Sequence, residues 1–212
     1  MSFATWVTFF FASCLIAISP GSGAVLSMSH GLAYGVRRAS VTILGLQAGL
    51  LLVLFIAGAG VGSILLASET LFTIVKTVGA LYLIWLGLCQ WRAQPAAAHL
   101  QAQGQGQMPA PRRRFLLGFL TNATNPKGIV FMVAVLPQFI SGDAPLLPQL
   151  LILAATTCAV DLVVMHGYAG AASALQRVFR SAQALRMQNR VFGGVLMAVG
   201  ATLFFVKRGQ HA

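Results

Sequence analysis

Acidic residues are almost missing from this sequence. Among its 212 residues there are three, Glu69, Asp143 and Asp161, against 14 lysines and arginines. Charged residues of either sign make up 8% of the chain and hydrophobic residues 58%, with a mean hydropathy of +0.82. Soluble domains carry roughly a quarter charged residues, so a soluble globular protein is excluded and the chain reads as a membrane protein. Cysteine is also scarce: Cys14, Cys89 and Cys158 sit in three separate apolar runs without a C-x-x-C pair. They read as small packing residues, with a metal or redox role as the lesser alternative. No metal-ligand cluster, P-loop or dinucleotide fingerprint occurs, so neither a metal nor a cofactor is expected. The net charge of +11 does not imply a nucleic-acid partner, because the basic residues flank apolar runs instead of interleaving with aromatics on a polar segment. Residues 1–6 lack a basic n-region, and the apolar stretch after them is too long for a signal-peptide core, so this segment is expected to be retained in the membrane.

What is present is a series of apolar runs. Residues 3–32, 40–67, 71–91, 115–140, 146–172 and 191–206 predict an all-α membrane protein with six transmembrane helices, the first and fourth interrupted. Arginines alternate between the connections: Arg37 and Arg38 after the first run, Arg92 and Arg112 to Arg114 after the third, Arg177, Arg180, Arg186 and Arg190 after the fifth. These connections are expected to be cytoplasmic and both termini outside, against the minor vote of Lys207 and Arg208. Residues 94–111, rich in Ala, Gln, Gly and Pro, read as a flexible cytoplasmic linker. It separates residues 1–93 from residues 112–212, each with three spans. Three is odd, so the second half enters from the opposite side, giving a 3+3 inverted repeat. Pro126 lies 106 positions after Pro20, and the same offset carries residues 40–67 onto 146–173, although it fails for the last span.

Two motifs break the apolar pattern. In Ser19-Pro20-Gly21-Ser22-Gly23 proline stops the incoming helix, glycines free the backbone, and a restarting helix turns its N–H groups toward the break, where a carboxylate is attracted. A packed kink is the structural alternative. Asn122-Ala123-Thr124-Asn125-Pro126-Lys127-Gly128 puts a proline and a lysine in mid-membrane, where a charge costs from about 2.5 kcal/mol upward unless it is offset. Paired interruptions point to a transport site. Asp161 is the one acid inside an apolar run and lies at a depth similar to that of Lys127. The two could form a structural ion pair, or Asp161 could be a protonation or substrate-amine site. Gln47, in Gly45-Leu46-Gln47-Ala48-Gly49, suits close helix packing or pathway lining. Gly58, Gly60, Gly62, Gly79 and Gly87 read as further packing surfaces, which leave a homo-oligomer open. His166 and Tyr168 read as satisfied or interfacial groups in preference to a proton relay, and Tyr82, Trp85 and Trp91 as interface and core aromatics. An intramembrane serine protease with Ser22 as nucleophile and His166 as base is disfavoured, since Pro20 stands where Gly-x-Ser-Gly needs its first glycine.

Several motifs in order carry a family resemblance: Ser19-Pro20-Gly21, Gly79-Ala80-Leu81-Tyr82-Leu83-Ile84-Trp85-Leu86-Gly87, Asn125-Pro126-Lys127 followed by Phe131 and Leu136-Pro137-Gln138-Phe139, and Val160-Asp161. The chain resembles the lysine-exporter and homoserine-resistance family of amino-acid efflux proteins over nearly its whole length apart from the linker. Ser22 and Gly23 depart from that family's usual Ser-Pro-Gly-Pro motif but resemble its homoserine and homoserine-lactone branch, as do Gly45-Leu46-Gln47, Gln90-Trp91-Arg92-Ala93 and Thr121-Asn122-Ala123-Thr124-Asn125-Pro126-Lys127. The resemblance implies proton-driven export of small amino acids across the bacterial inner membrane, with homoserine, homoserine lactone and threonine as cargo, or another amino acid or a cation in the same fold. Membrane lipid and protons are the other implied partners. The residues expected to serve transport are Ser19, Pro20, Gly21, Ser22, Gly23, Gln47, Asn122, Asn125, Pro126, Lys127 and Asp161.

Overall fold

Proline and glycine decide where the helices stop. In the computed structural model, residues 1–67, 69–92 and 108–174 are described, with ten further positions between 186 and 201. Residues 94–107 of the expected linker, most of the expected sixth span, and Arg177, Arg180, Lys207 and Arg208 lie outside the described residues. Helix α1, Phe3–Ile18, is capped by the Ser2 hydroxyl, which accepts from the Thr5 N–H at 3.1 Å. It ends at Ser19, ahead of Pro20, and α2, Ser22–Tyr34, restarts after Gly21 at an angle of 57° to α1. Gly35 closes α2 with φ of 77°, a left-handed conformation that suits glycine. Helix α3, Val36–Ala67, follows at once, so Arg37 and Arg38 sit in its first turn and not in a separate loop. Helix α4 is Glu69–Arg92.

The second interruption repeats this logic. Helix α5, Pro111–Ala123, starts with a proline whose missing N–H would have had no helical partner. Helix α6, Pro126–Val135, starts the same way, and Asn125 caps it by accepting from the Lys127 N–H at 3.1 Å. A 3-10 turn, Leu136–Phe139, and a loop lead to α7, Leu146–Ala174. The described residues contain helices and no strand. By length and composition, Val36–Gly60 of α3 and the whole of α7 can each cross a bilayer, and the bent pair α1–α2 makes a third crossing if taken as one span.

Glycine sets how closely the helices approach. Helices α3 and α5 run side by side in the same direction. A methyl group at Gly45 would meet the main chain of Phe115 and Phe119, at Gly49 that of Phe119 and Ala123, and at Gly118 that of Thr42 and Leu46. The expected packing role of Gly45 and Gly49 is thereby given a partner. The pair starts at a shared basic end, where the Arg114 guanidinium donates to the carbonyls of Arg38 and Pro109; Arg38, after the first run, and Arg114, after the third, are therefore at one end of the bundle, as their charge predicts. Gly31 of α2 meets Ala169 of α7, Gly58 meets Leu150, Gly79 of α4 meets Ala134 of α6, and Gly87 meets Gly193, whereas Gly60 faces open space. Phe9, Leu54, Phe131, Met132, Leu136 and Leu153 form the innermost core where α1, α3, α6 and α7 converge. Large apolar side chains such as Phe3, Ile56, Trp85 and Val163 point outward.

The α3–α5 seam can be tested by filling it. Gly118→Ala should lower the thermal unfolding midpoint in detergent, at a cost of about 1–3 kcal/mol for overpacking. Gly167→Ala, on an open face of α7, should leave the midpoint unchanged or raise it slightly. Equal midpoints for the two variants would show that this seam does not hold the bundle together.

Candidate functional site

A helix that stops inside a protein leaves its last carbonyls without partners. At the end of α1 these carbonyls are taken up from elsewhere in the chain. The Lys127 ammonium donates to the Ser19 carbonyl at 2.5 Å and to the Ile16 carbonyl at 3.2 Å, and the Tyr168 hydroxyl donates to the Ile18 carbonyl at 2.5 Å. A cation at a helix C-terminus also meets the negative end of the helix dipole. The lysine of the second break therefore caps the first.

The second break is tied to α3. Asn122 Nδ2 donates to the Leu46 carbonyl at 2.9 Å, and Asn125 Nδ2 lies 3.4 Å from Asn122 Oδ1. Next along α3, the Gln47 amide donates to Asp161 Oδ2 at 2.6 Å. Gln47 thus joins α3 to α7 while its flanking glycines join α3 to α5, so the close helix packing read from this segment is present. The direct Lys127–Asp161 ion pair allowed by their matching depths is not formed. Lys127 is engaged by the carbonyls of α1 and Asp161 by Gln47. The freed carbonyls compete successfully for the ammonium because they too are in the interior and need a donor.

These groups surround a cavity of about 50 Å³, room for a few waters. Ser19, Gly21, Gly23, Asn122, Asn125, Lys127 and Asp161 line it; Gln47 reaches it through Asp161. Pro20 and Pro126 shape the breaks without lining the cavity, and Ser22 is exposed and outside it. The first turn of α2 has no side-chain cap, so its N–H groups at Gly23 and Ala24, both on the cavity wall, stand ready for an acceptor. His166 lies 3.0 Å from the Ser40 hydroxyl and 2.8 Å from the Leu162 carbonyl, as expected of a satisfied histidine, and its partner is Ser40 instead of Ser22. Sequence reasoning missed Ser13 and Thr157, which also line the cavity. Thr157 precedes Asp161 by one helical turn, a spacing that could have revealed it. A further buried contact, His30 Nδ1 to Thr42 Oγ1 at 2.6 Å, joins α2 to α3. Among the described residues no group of His, Cys, Asp and Glu could hold a metal ion.

Two interrupted helices that bring polar groups to one cavity in an apolar helical bundle are the arrangement of a transport site, and similarity to known proteins gives the class: a membrane transporter, not an enzyme. The chain belongs to the LysE type translocator family, whose model matches residues 14–206. It is 41% and 42% identical to the homoserine/homoserine lactone efflux proteins of Salmonella typhi and Salmonella typhimurium, over 96% of this chain and 97% of each relative. It is also 32% identical to the leucine efflux protein of Klebsiella pneumoniae over 66% of this chain and 65% of that protein. No solved structure gives a significant match.

Removing the shared cap should destabilise the fold. Lys127→Met leaves the Ile16 and Ser19 carbonyls without their donor, and an unsatisfied buried group costs about 1–3 kcal/mol. The thermal unfolding midpoint in detergent should fall clearly below that of wild type; an unchanged midpoint would mean that these contacts do not hold the break.

Proposed function

We propose that this protein is a secondary transporter that exports homoserine and homoserine lactone across the bacterial inner membrane in exchange for protons, with threonine as a further cargo. The observation that carries the reading is the convergence of both helix breaks, Lys127 and Asp161 on one cavity, joined to the full-length similarity to efflux proteins of that name. In this reading residues 1–93 and 112–212 are two inverted repeats of three spans, connected by a cytoplasmic linker at 94–111. The outward apolar side chains of the helices face lipid.

The chemistry follows from the charges. The substrate's carboxylate, or the lactone carbonyl, is received by the uncapped first turn of α2 at Gly23 and Ala24. Its ammonium approaches Asp161, and Leu50, Phe131, Met132 and Met165 on the same cavity wall cover its carbon skeleton. Lys127 remains on the carbonyls of α1 as a fixed charge against which Asp161 is tuned. When the site opens outward, a proton on Asp161 displaces the ammonium; when it opens to the more alkaline cytoplasm, the proton leaves and the next substrate binds. Proton and substrate thus compete for one carboxylate, and their different affinities for the two access states drive exchange. The cavity is too small for an amino acid in this conformation, so loading requires the surrounding helices to separate.

Uptake of labelled homoserine, homoserine lactone and threonine into everted membrane vesicles tests the reading. Wild type should accumulate cargo with a proton gradient and lose this with an uncoupler. Asp161→Asn retains an oxygen that can accept from Gln47 but cannot carry the exchanged charge, so gradient-driven uptake should be abolished. Wild-type rates in Asp161→Asn with intact dependence on the gradient would remove the proton role.

A further inference from the structure

The cavity wall contains polar groups that the fold leaves unpaired. Ser13 and Ser19 are each 1% exposed, both line the cavity, and neither hydroxyl has a hydrogen-bond partner. A hydroxyl in an apolar helix has a ready partner in the carbonyl four residues back, and Thr8, Thr156 and Thr157 use it here. Ser13 does not. A buried polar group without a partner works against folding, so its place on the wall of the cavity that widens to take the substrate calls for a ligand that supplies the missing bond. The surrounding wall is apolar at Ile16, Ala17 and Leu50 and provides no substitute.

We infer that Ser13, with Ser19, forms the subsite that recognises an oxygen on the substrate's side chain, and that it selects oxygen-bearing amino acids over purely aliphatic ones of the same size. This rests on the function proposed above, in which the uncapped turn of α2 and Asp161 take the substrate's carboxylate and ammonium. The side chain is then left to the rest of the wall, including Ser13. A hydroxyl there both donates and accepts, so it can serve an alcohol as well as a carbonyl or ring oxygen. An aliphatic side chain leaves both serines unpaired, and a site built to hydrogen-bond its substrate discriminates strongly against analogues that cannot make the bond. Relatives with either a hydroxylated or an aliphatic cargo in their names make this the choice on which cargo turns.

Homoserine and norvaline provide the test, because they differ only by a hydroxyl in place of a methyl. Export of labelled homoserine is measured in everted vesicles against unlabelled homoserine or unlabelled norvaline, for wild type, Ser13→Ala, Ser13→Cys and Ser27→Ala. Wild type should be inhibited far better by homoserine. In Ser13→Ala and in the size-matched Ser13→Cys this preference should fall about fivefold, the worth of one hydrogen bond. Ser27 is equally buried and unpaired but lies off the cavity, so Ser27→Ala should keep the wild-type preference. Wild-type preference in both Ser13 variants, or the same fall in Ser27→Ala, overturns the assignment while leaving homoserine export intact. A wild type that carries no homoserine overturns the function itself, and this inference with it.

Discussion

The site depends on one ammonium group. Lys127 belongs to the second interrupted helix, yet its charge is placed at the end of the first, on two carbonyls that Pro20 has left without helical partners. The arrangement answers two costs together. A cation in an apolar interior needs acceptors, and the end of a broken helix needs donors; each alone is expensive, and each is the other's remedy. Gly21 belongs to the same solution, since a methyl group there would come within 3.1 Å of Lys127 Nζ. A side chain at this point would crowd the ammonium away from the carbonyls.

Around this contact the remaining polar groups form a short relay between helices. Asn122 reaches the backbone of α3, Gln47 leaves α3 for Asp161, and Tyr168 returns from α7 to the end of α1. Every link crosses from one element to another, so the break in α1, the break before α6 and the carboxylate on α7 are held in a common frame. A change in charge at Asp161 is therefore felt at Gln47 first, and through Gln47 on α3, the helix that carries the glycine seam.

Much of this was legible in the sequence because its signals are local. Pro20, Pro126 and the surrounding glycines mark the interruptions, and Gly45 and Gly49 mark a close helix contact, since each acts through its own backbone geometry. The relation between Lys127 and Asp161 was legible only in part. Counting residues along two helices gives depth but not the direction a side chain faces, and it ignored the carbonyls at the end of α1 that take the ammonium. Ser22 was expected at the site and lies outside it because successive residues on a helix are turned by about 100°, which gives the cavity to Gly23 and Ala24. Ser13 gave no signal of its own, since a serine within an apolar run usually folds its hydroxyl back onto its own helix.

The glycine seams also constrain how such a molecule can move. Between α3 and α5 the backbones touch with no side chain interposed, from Thr42 and Gly118 to Gly49 and Ala123, and Gly31 brings α2 onto Ala169 of α7 in the same way. Packed surfaces of this kind do not deform continuously, and a sliding step would drive main chain into main chain. Each seam joins a helix from one half of the sequence to a helix from the other. A motion that keeps these contacts intact therefore has to carry α3 together with α5, and α2 together with α7, as units.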